Sequence, residues 1–208
     1  MSQSNASTSK ESEFDYSYPI AVPVLDYEIG TIEEDFKPDT GNKYAVRKAV
    51  LPTGVYAGRV QYVARVARKR VEKGEYGKRV QITSKDGLYK VYIGANEQYN
   101  DCTERLAKID RESYVSMTAN VLVRDTDDGK ASYFVPVTAK EVDQRTRNRF
   151  LLNAAEQTLD RIEAFQEEDN TPEQDHAKEI YGEDHLSQYA NAAVLAIEQA
   201  DMSLQRNG

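Results

Sequence analysis

Five short β-prone runs, interrupted once by a helical stretch, constrain this chain more than any other feature of it. Residues 55–67 are β-prone throughout, and Gly58 inside them marks a bulge or bend. Residues 68–77 read as a charged connection containing Gly74 and Gly77. Residues 78–84 alternate, with Val80 and Ile82 on one face and Arg79, Gln81 and Thr83 on the other. Lys85-Asp86-Gly87 is a hairpin turn. Residues 88–94 alternate again, Tyr89, Val91 and Ile93 against Leu88, Lys90 and Tyr92. A short helix is expected over 97–109, with Leu106 and Ile109 as its apolar contacts. Residues 114–124 and 131–137 supply two more strands around the turn Asp125-Thr126-Asp127-Asp128-Gly129. Strand, strand, strand, helix, strand, strand, with a long bent first strand, is the order of an OB-fold barrel.

The last third of the chain reads as helical. Asp143 is placed to cap a helix running to about Phe165, on which Leu152, Ala155, Leu159, Ile162 and Phe165 form one apolar stripe. Thr171-Pro172-Glu173-Gln174 combines a cap, a proline in the first helical turn and a capping-box glutamine. A last helix is expected over 185–203, with Leu186, Tyr189, Ala193, Ile197 and Ala200 on one face. The fold class is therefore α+β: a five-stranded OB-fold barrel followed by a C-terminal helical region. The expected division is a disordered tail over 1–15, an extended arm and acidic linker over 16–50, the barrel over 51–140 and a helical assembly region over 141–208. The helical stripes pack either on the chain's own barrel or against helices of other subunits.

The net charge of -8 argues against a nucleic-acid partner, but its distribution argues for one. Residues 54–95 carry Arg59, Arg65, Arg68, Lys69, Arg70, Lys73, Lys78, Arg79, Lys85 and Lys90 against only Glu72, Glu75 and Asp86. That segment is +7 and the remainder -15. Tyr56, Tyr62, Tyr76, Tyr89 and Tyr92 are interleaved with these cations. Cations for phosphates and flat rings for unstacked bases are what an unpaired strand requires.

Other classes find little support. No run approaches the ~18 apolar residues of a spanning helix. Met1-Ser2-Gln3-Ser4-Asn5 lacks the basic and apolar regions of a signal peptide, so a cytoplasmic location is expected. Cys102 stands alone, and His176 and His185 lack metal-ligand spacing, so no metal or cofactor is expected. No nucleophile–base arrangement or glycine-rich phosphate loop is present, and the chain is not expected to be an enzyme.

The chain also resembles a family. Leu51-Pro52-Thr53-Gly54, Ser84-Lys85-Asp86-Gly87, Val91-Tyr92-Ile93-Gly94, Asp127-Asp128-Gly129 and the run from Val142 to Arg149 carry the resemblance in order. The run from Ala154 to Phe165, and Tyr181-Gly182-Glu183-Asp184 before the last helix, complete it. These resemble the archaeal replication protein A-associated proteins. The resemblance implies an OB-fold subunit working on single-stranded DNA in replication, repair or recombination. It implies a large replication protein A subunit as partner in a hetero-oligomer, joined through the helix after the barrel. The region before Leu51 and the basic connection 68–76 depart from the family's pattern.

OB-folds bind strands across their second and third strands and the flanking loops. The expected contacts are Arg59, Arg65, Arg79, Gln81, Lys90 and Tyr92 on the sheet face. Arg68, Lys69, Arg70, Lys73 and Tyr76 are expected on one loop, and Lys130, Tyr133 and Phe134 at the other and its strand. Leu152, Ala155, Leu159, Ile162 and Phe165 are the expected partner-binding residues. The alternative is a structural subunit that scaffolds a complex and leaves the DNA to its partner.

Overall fold

The computed structural model describes residues 21–39, 46–75, 77–84, 91–96, 101–127, 129–166, 170–182 and 184–206. The sheet strands are β5 (Val60–Gly74), β6 (Gly77–Ser84), β7 (Val91–Asn96), β8 (Tyr114–Thr126) and β9 (Gly129–Val142), with helix α2 (Cys102–Lys108) between β7 and β8. This is the element order expected from the sequence. Their pairings form a ring: β5 with β6, β6 with β7, β7 with β9, β9 with β8, and β8 back to β5. All are antiparallel except β7 with β9.

The ring closes because β5 is shared. Its first half, Val60 to Arg65, pairs with β8, and its second half, from Val66 to Gly74, pairs with β6. The change of partner coincides with a register shift between Val66 and Arg68. An extra residue there bends the strand and sharpens its twist. Gly58 lies at a bend of its own, as expected, between β4 (Val55–Ala57) and β5. The charged connection expected over 68–77 is corrected. Arg68 to Gly74 is regular strand, laddered onto β6 out to Gly74 opposite Gly77. A charged sequence holds β geometry where hydrogen bonds are supplied across the ladder and the side chains reach water.

Inside the ring, Val60, Tyr62, Val66, Val80, Ile82, Ile93, Val121 and Phe134 are buried. Helix α2 packs on β6, β7 and β9 and adds Cys102, Leu106 and Ile109 to the same core. The segment expected as an extended arm holds β1 (Val22–Pro23), α1 (Asp26–Gly30) and β2 (Asp35–Phe36). Val24, Leu25, Ile29 and Ile32 there are buried, and Ser132 Oγ donates to the Ile29 carbonyl at 3.0 Å. A small second sheet is made of β2, β3 (Lys48–Leu51) and β4.

The C-terminal helices are α3 (Gln144–Phe165), α4 (Pro172–Tyr181) and α5 (Leu186–Arg206). The Asp143 carboxylate caps α3 by accepting Thr146 N–H at 2.8 Å. Thr171 and Gln174 form the reciprocal capping box of α4. Helix α3 packs on α5 and on β1, β5 and β8, while α4 packs on β3 and β4. The α3 stripe expected to bind a partner is therefore used internally. Ala155, Ile162 and Phe165 are buried, and half-buried Leu152 and Leu159 pack against the main core. Burying each large side chain is worth about 1.5–3 kcal/mol, which favours the chain's own sheet over water. Among the described residues, no helix is long and apolar enough to cross a membrane.

Candidate nucleic-acid interface

The outer face of the β5–β6 ladder collects the cations. Directly opposed residues of an antiparallel pair share a face. Arg70 lies opposite Gln81, Arg68 opposite Thr83 and Glu72 opposite Arg79. The face continues onto β7, where Gln81 meets Gly94 and Thr83 meets Tyr92 in register. A Cβ on Gly94 would meet nothing within 4 Å, so the surface beside Gln81 is flat and open.

Arg68, Lys69, Arg70, Gln81, Thr83 and Arg111 together line a depression of about 340 Å³. Arg68, Arg70, Arg79, Gln81 and Arg111 are exposed. Arg70 forms an ion pair with Glu72 at 2.5 Å, and both groups remain well solvated. Lys69 is held differently. Its ammonium donates to the carbonyl of Ala107, at 2.9 Å, and to that of Ile109. It thereby ties the end of α2 to β5 and satisfies carbonyls that a helix terminus leaves open. Lys78 is paired with Glu104, whose carboxyl is held below its ordinary pKa by that lysine.

The other expected residues are scattered. Lys73 is exposed opposite Lys78 at the hairpin end, and Lys130 is exposed at the start of β9. Arg65 belongs to the β5–β8 side, where it pairs with Glu112. Arg59 is half-buried beside the N-terminal segment, and its carbonyl accepts Val22 N–H at 3.0 Å. Tyr76 and Lys90 lie outside the described residues, as does the side chain of Tyr92. Phe134 is a correction. It is 1% exposed, because in the period-2 alternation of β9 it faces inward with Val121 and offers no free ring.

Of the side chains on this surface, the sequence points to Tyr133 beside Lys130 and leaves Thr83 and Arg111 unnamed as contacts. Tyr133, the neighbour of Phe134, is half-exposed, stands in register with Tyr92, and has the Arg124 guanidinium 5.3 Å from its ring centroid. The alternation of β9 is enough to find it. Thr83 is legible as the next residue in phase after Arg79 and Gln81. Arg111 has no local signal. The α2–β8 connection carries it there, where Glu112 N–H donates to the Val66 carbonyl at 2.8 Å. No group of three or more possible metal ligands occurs among the described residues.

No protein-family model matches the chain, and no curated protein sequence does. Solved structures do. A chain of the S. pombe Stn1-ten1 complex superposes with a TM-score of 0.52 at 11% identity, over 69% of this chain and 94% of that one. The fold is therefore one already seen in that complex. An OBody, NL8, bound to hen egg-white lysozyme is similar with a TM-score of 0.35 at 18% identity, covering 41% of this chain and 94% of its own. A mitochondrial single-stranded DNA-binding protein from S. cerevisiae gives 0.27 at 18%, also over 41% of this chain and 94% of its own.

Proposed function

We propose that this chain is an OB-fold subunit that binds single-stranded DNA with little sequence preference, as part of a replication protein A-type complex. The ring of five paired strands, with its shared first strand and single parallel pair, supports the barrel reading. The observation carrying the reading is the open basic depression on β5 and β6, lined by Arg68, Lys69, Arg70 and Arg111. Helices α2 and α3 touch β6 and β5 without covering this face, and Arg68, Arg70 and Gln81 stay exposed. Arginine and lysine there neutralise phosphates, and Tyr133 supplies a ring for a base. The reaction class is binding, with no catalytic role. The location is the cytoplasm.

Assembly would use α5, where Val194, Leu195 and Met202 remain exposed, and not the buried stripe of α3. The S. pombe structure of similar fold is itself a complex. The scaffold reading draws on one observation: Arg65, Lys69 and Lys78 are engaged within the chain. Fluorescence anisotropy of labelled oligo-dT separates the two. Binding that weakens in Arg68→Ala/Arg70→Ala supports direct contact. Affinity found only with a large subunit, and indifferent to those substitutions, supports the scaffold.

A further inference from the structure

A second depression, of about 380 Å³, lies between α2 and the end of β9. Ile109 and Ala139, both buried, contribute apolar wall to it. Arg105, Lys108 and Lys140, all exposed, line it with a single carboxylate, Glu141. Binding at the β5–β6 groove makes no use of it.

The two depressions adjoin at the end of α2. Lys69 lines the first, and its ammonium holds the carbonyl of Ile109, which lines the second. Arg111, on the first, follows Ile109 by two residues. Cations in the last turn of a helix commonly answer its own carbonyls. Here Lys69 already meets those of Ala107 and Ile109, and Lys140 comes from β9 and has no part in the helix. An apolar wall beneath a cationic rim suits a ligand that joins flat apolar bodies to regularly spaced anions, which is a polynucleotide strand.

We infer that a single strand leaving the β5–β6 groove turns over the end of α2 at Arg111 and seats further nucleotides in this second depression. Arg105, Lys108 and Lys140 then contact its phosphates. The inference rests on the groove being the primary site and lengthens the footprint beyond it.

The test compares oligo-dT of about 8 and about 25 nucleotides, lengths chosen to fill one such site or to overrun it. Binding is measured for the whole chain, Arg105→Ala/Lys108→Ala/Lys140→Ala and Arg68→Ala/Arg70→Ala, each first shown to melt as the parent does. The α2-side variant should lose about tenfold on the long strand and less than about twofold on the short one. Its salt slope on the long strand should flatten by about 2, or ~0.7 per lost phosphate contact. The groove variant should lose affinity for both. Should the triple alanine variant misfold, the single Lys140→Glu reversal replaces it, with loss again confined to the long strand and a slope flattened by about 0.7. Equal loss at both lengths, or none on the long strand, overturns the second subsite while the groove stands. A parent chain that binds neither strand overturns the groove itself, and the subsite with it.

Discussion

Adjacent residues Tyr133 and Phe134 show how one step along a strand separates a surface ring from a core one. Phe134→Ala should leave a cavity inside the ring and cost about 3–5 kcal/mol, read from a urea unfolding midpoint. Tyr133→Ala should lower that midpoint much less than Phe134→Ala does and weaken oligo-dT binding by about 1–3 kcal/mol, read by anisotropy. The reverse pattern would place the binding face elsewhere. A second residue-level device is the buried ion pair between Glu28 and Arg161, 2.8 Å apart. Thr53 Oγ donates to the same carboxylate at 2.5 Å and accepts from Arg161 Nε at 2.7 Å. Three distant segments meet there: α1, the turn after β3, and α3. Arg161→Leu would leave the buried Glu28 carboxyl without its cationic partner, an expected loss of about 3–5 kcal/mol by chemical denaturation. Gly54 stands beside this network with φ of 77°, and a Cβ on it would lie 2.6 Å from the Phe165 ring. Alanine there combines backbone strain with overpacking, so Gly54→Ala should lower the melting temperature.

Among the elements, α4 is the most completely written in its own sequence. Its capping box and its early proline are local, and both are legible as a four-residue pattern. Thr171→Ala should cost about 1 kcal/mol in thermal unfolding, and Thr171→Ser much less. The cap of α3 adds a pH dependence. Hydrogen bonds from Thr146 hold the Asp143 carboxyl below its ordinary pKa. A depressed carboxyl contributes stability that is present above its unfolded value, about 3.9, and lost as pH falls through the lower folded value. Acid titration followed by circular dichroism should show a step in the parent chain that Asp143→Asn lacks. Strand β5 is the opposite case. Its basic second half reads as a loop on composition, because the signal for a strand is apolar alternation and Arg68 to Gly74 has almost none. Its partner β6 decides its geometry, through a ladder no local window contains. The stripe of α3 is equally legible as a stripe, yet periodicity gives a face and not its occupant.

At the scale of the whole molecule, binding should be governed by salt. Four cations line the groove, and a single strand releases ~0.7 counterions for each phosphate neutralised. For a short oligo-dT that fills only the groove, the logarithm of the association constant should therefore fall with the logarithm of salt with a slope of about -2 to -3. A flat dependence would argue for base stacking alone or for no contact at all. The net charge of -8 does not forbid such binding, because four cations line one open depression. The order of elements from β5 onward, the caps of α3 and α4, and the clustering of charge between residues 54 and 95 were determined by the sequence itself. Each rests on spacings of a few residues, where local geometry converts pattern into structure. Which cations face the same water was decided only in three dimensions. Arg111 joins Arg68 because the α2–β8 connection hydrogen-bonds at Val66, while Arg65 is turned to Glu112 on another side. Closing a sheet brings residues together by register and by the position of one bulge, and neither is a property of any short stretch of chain.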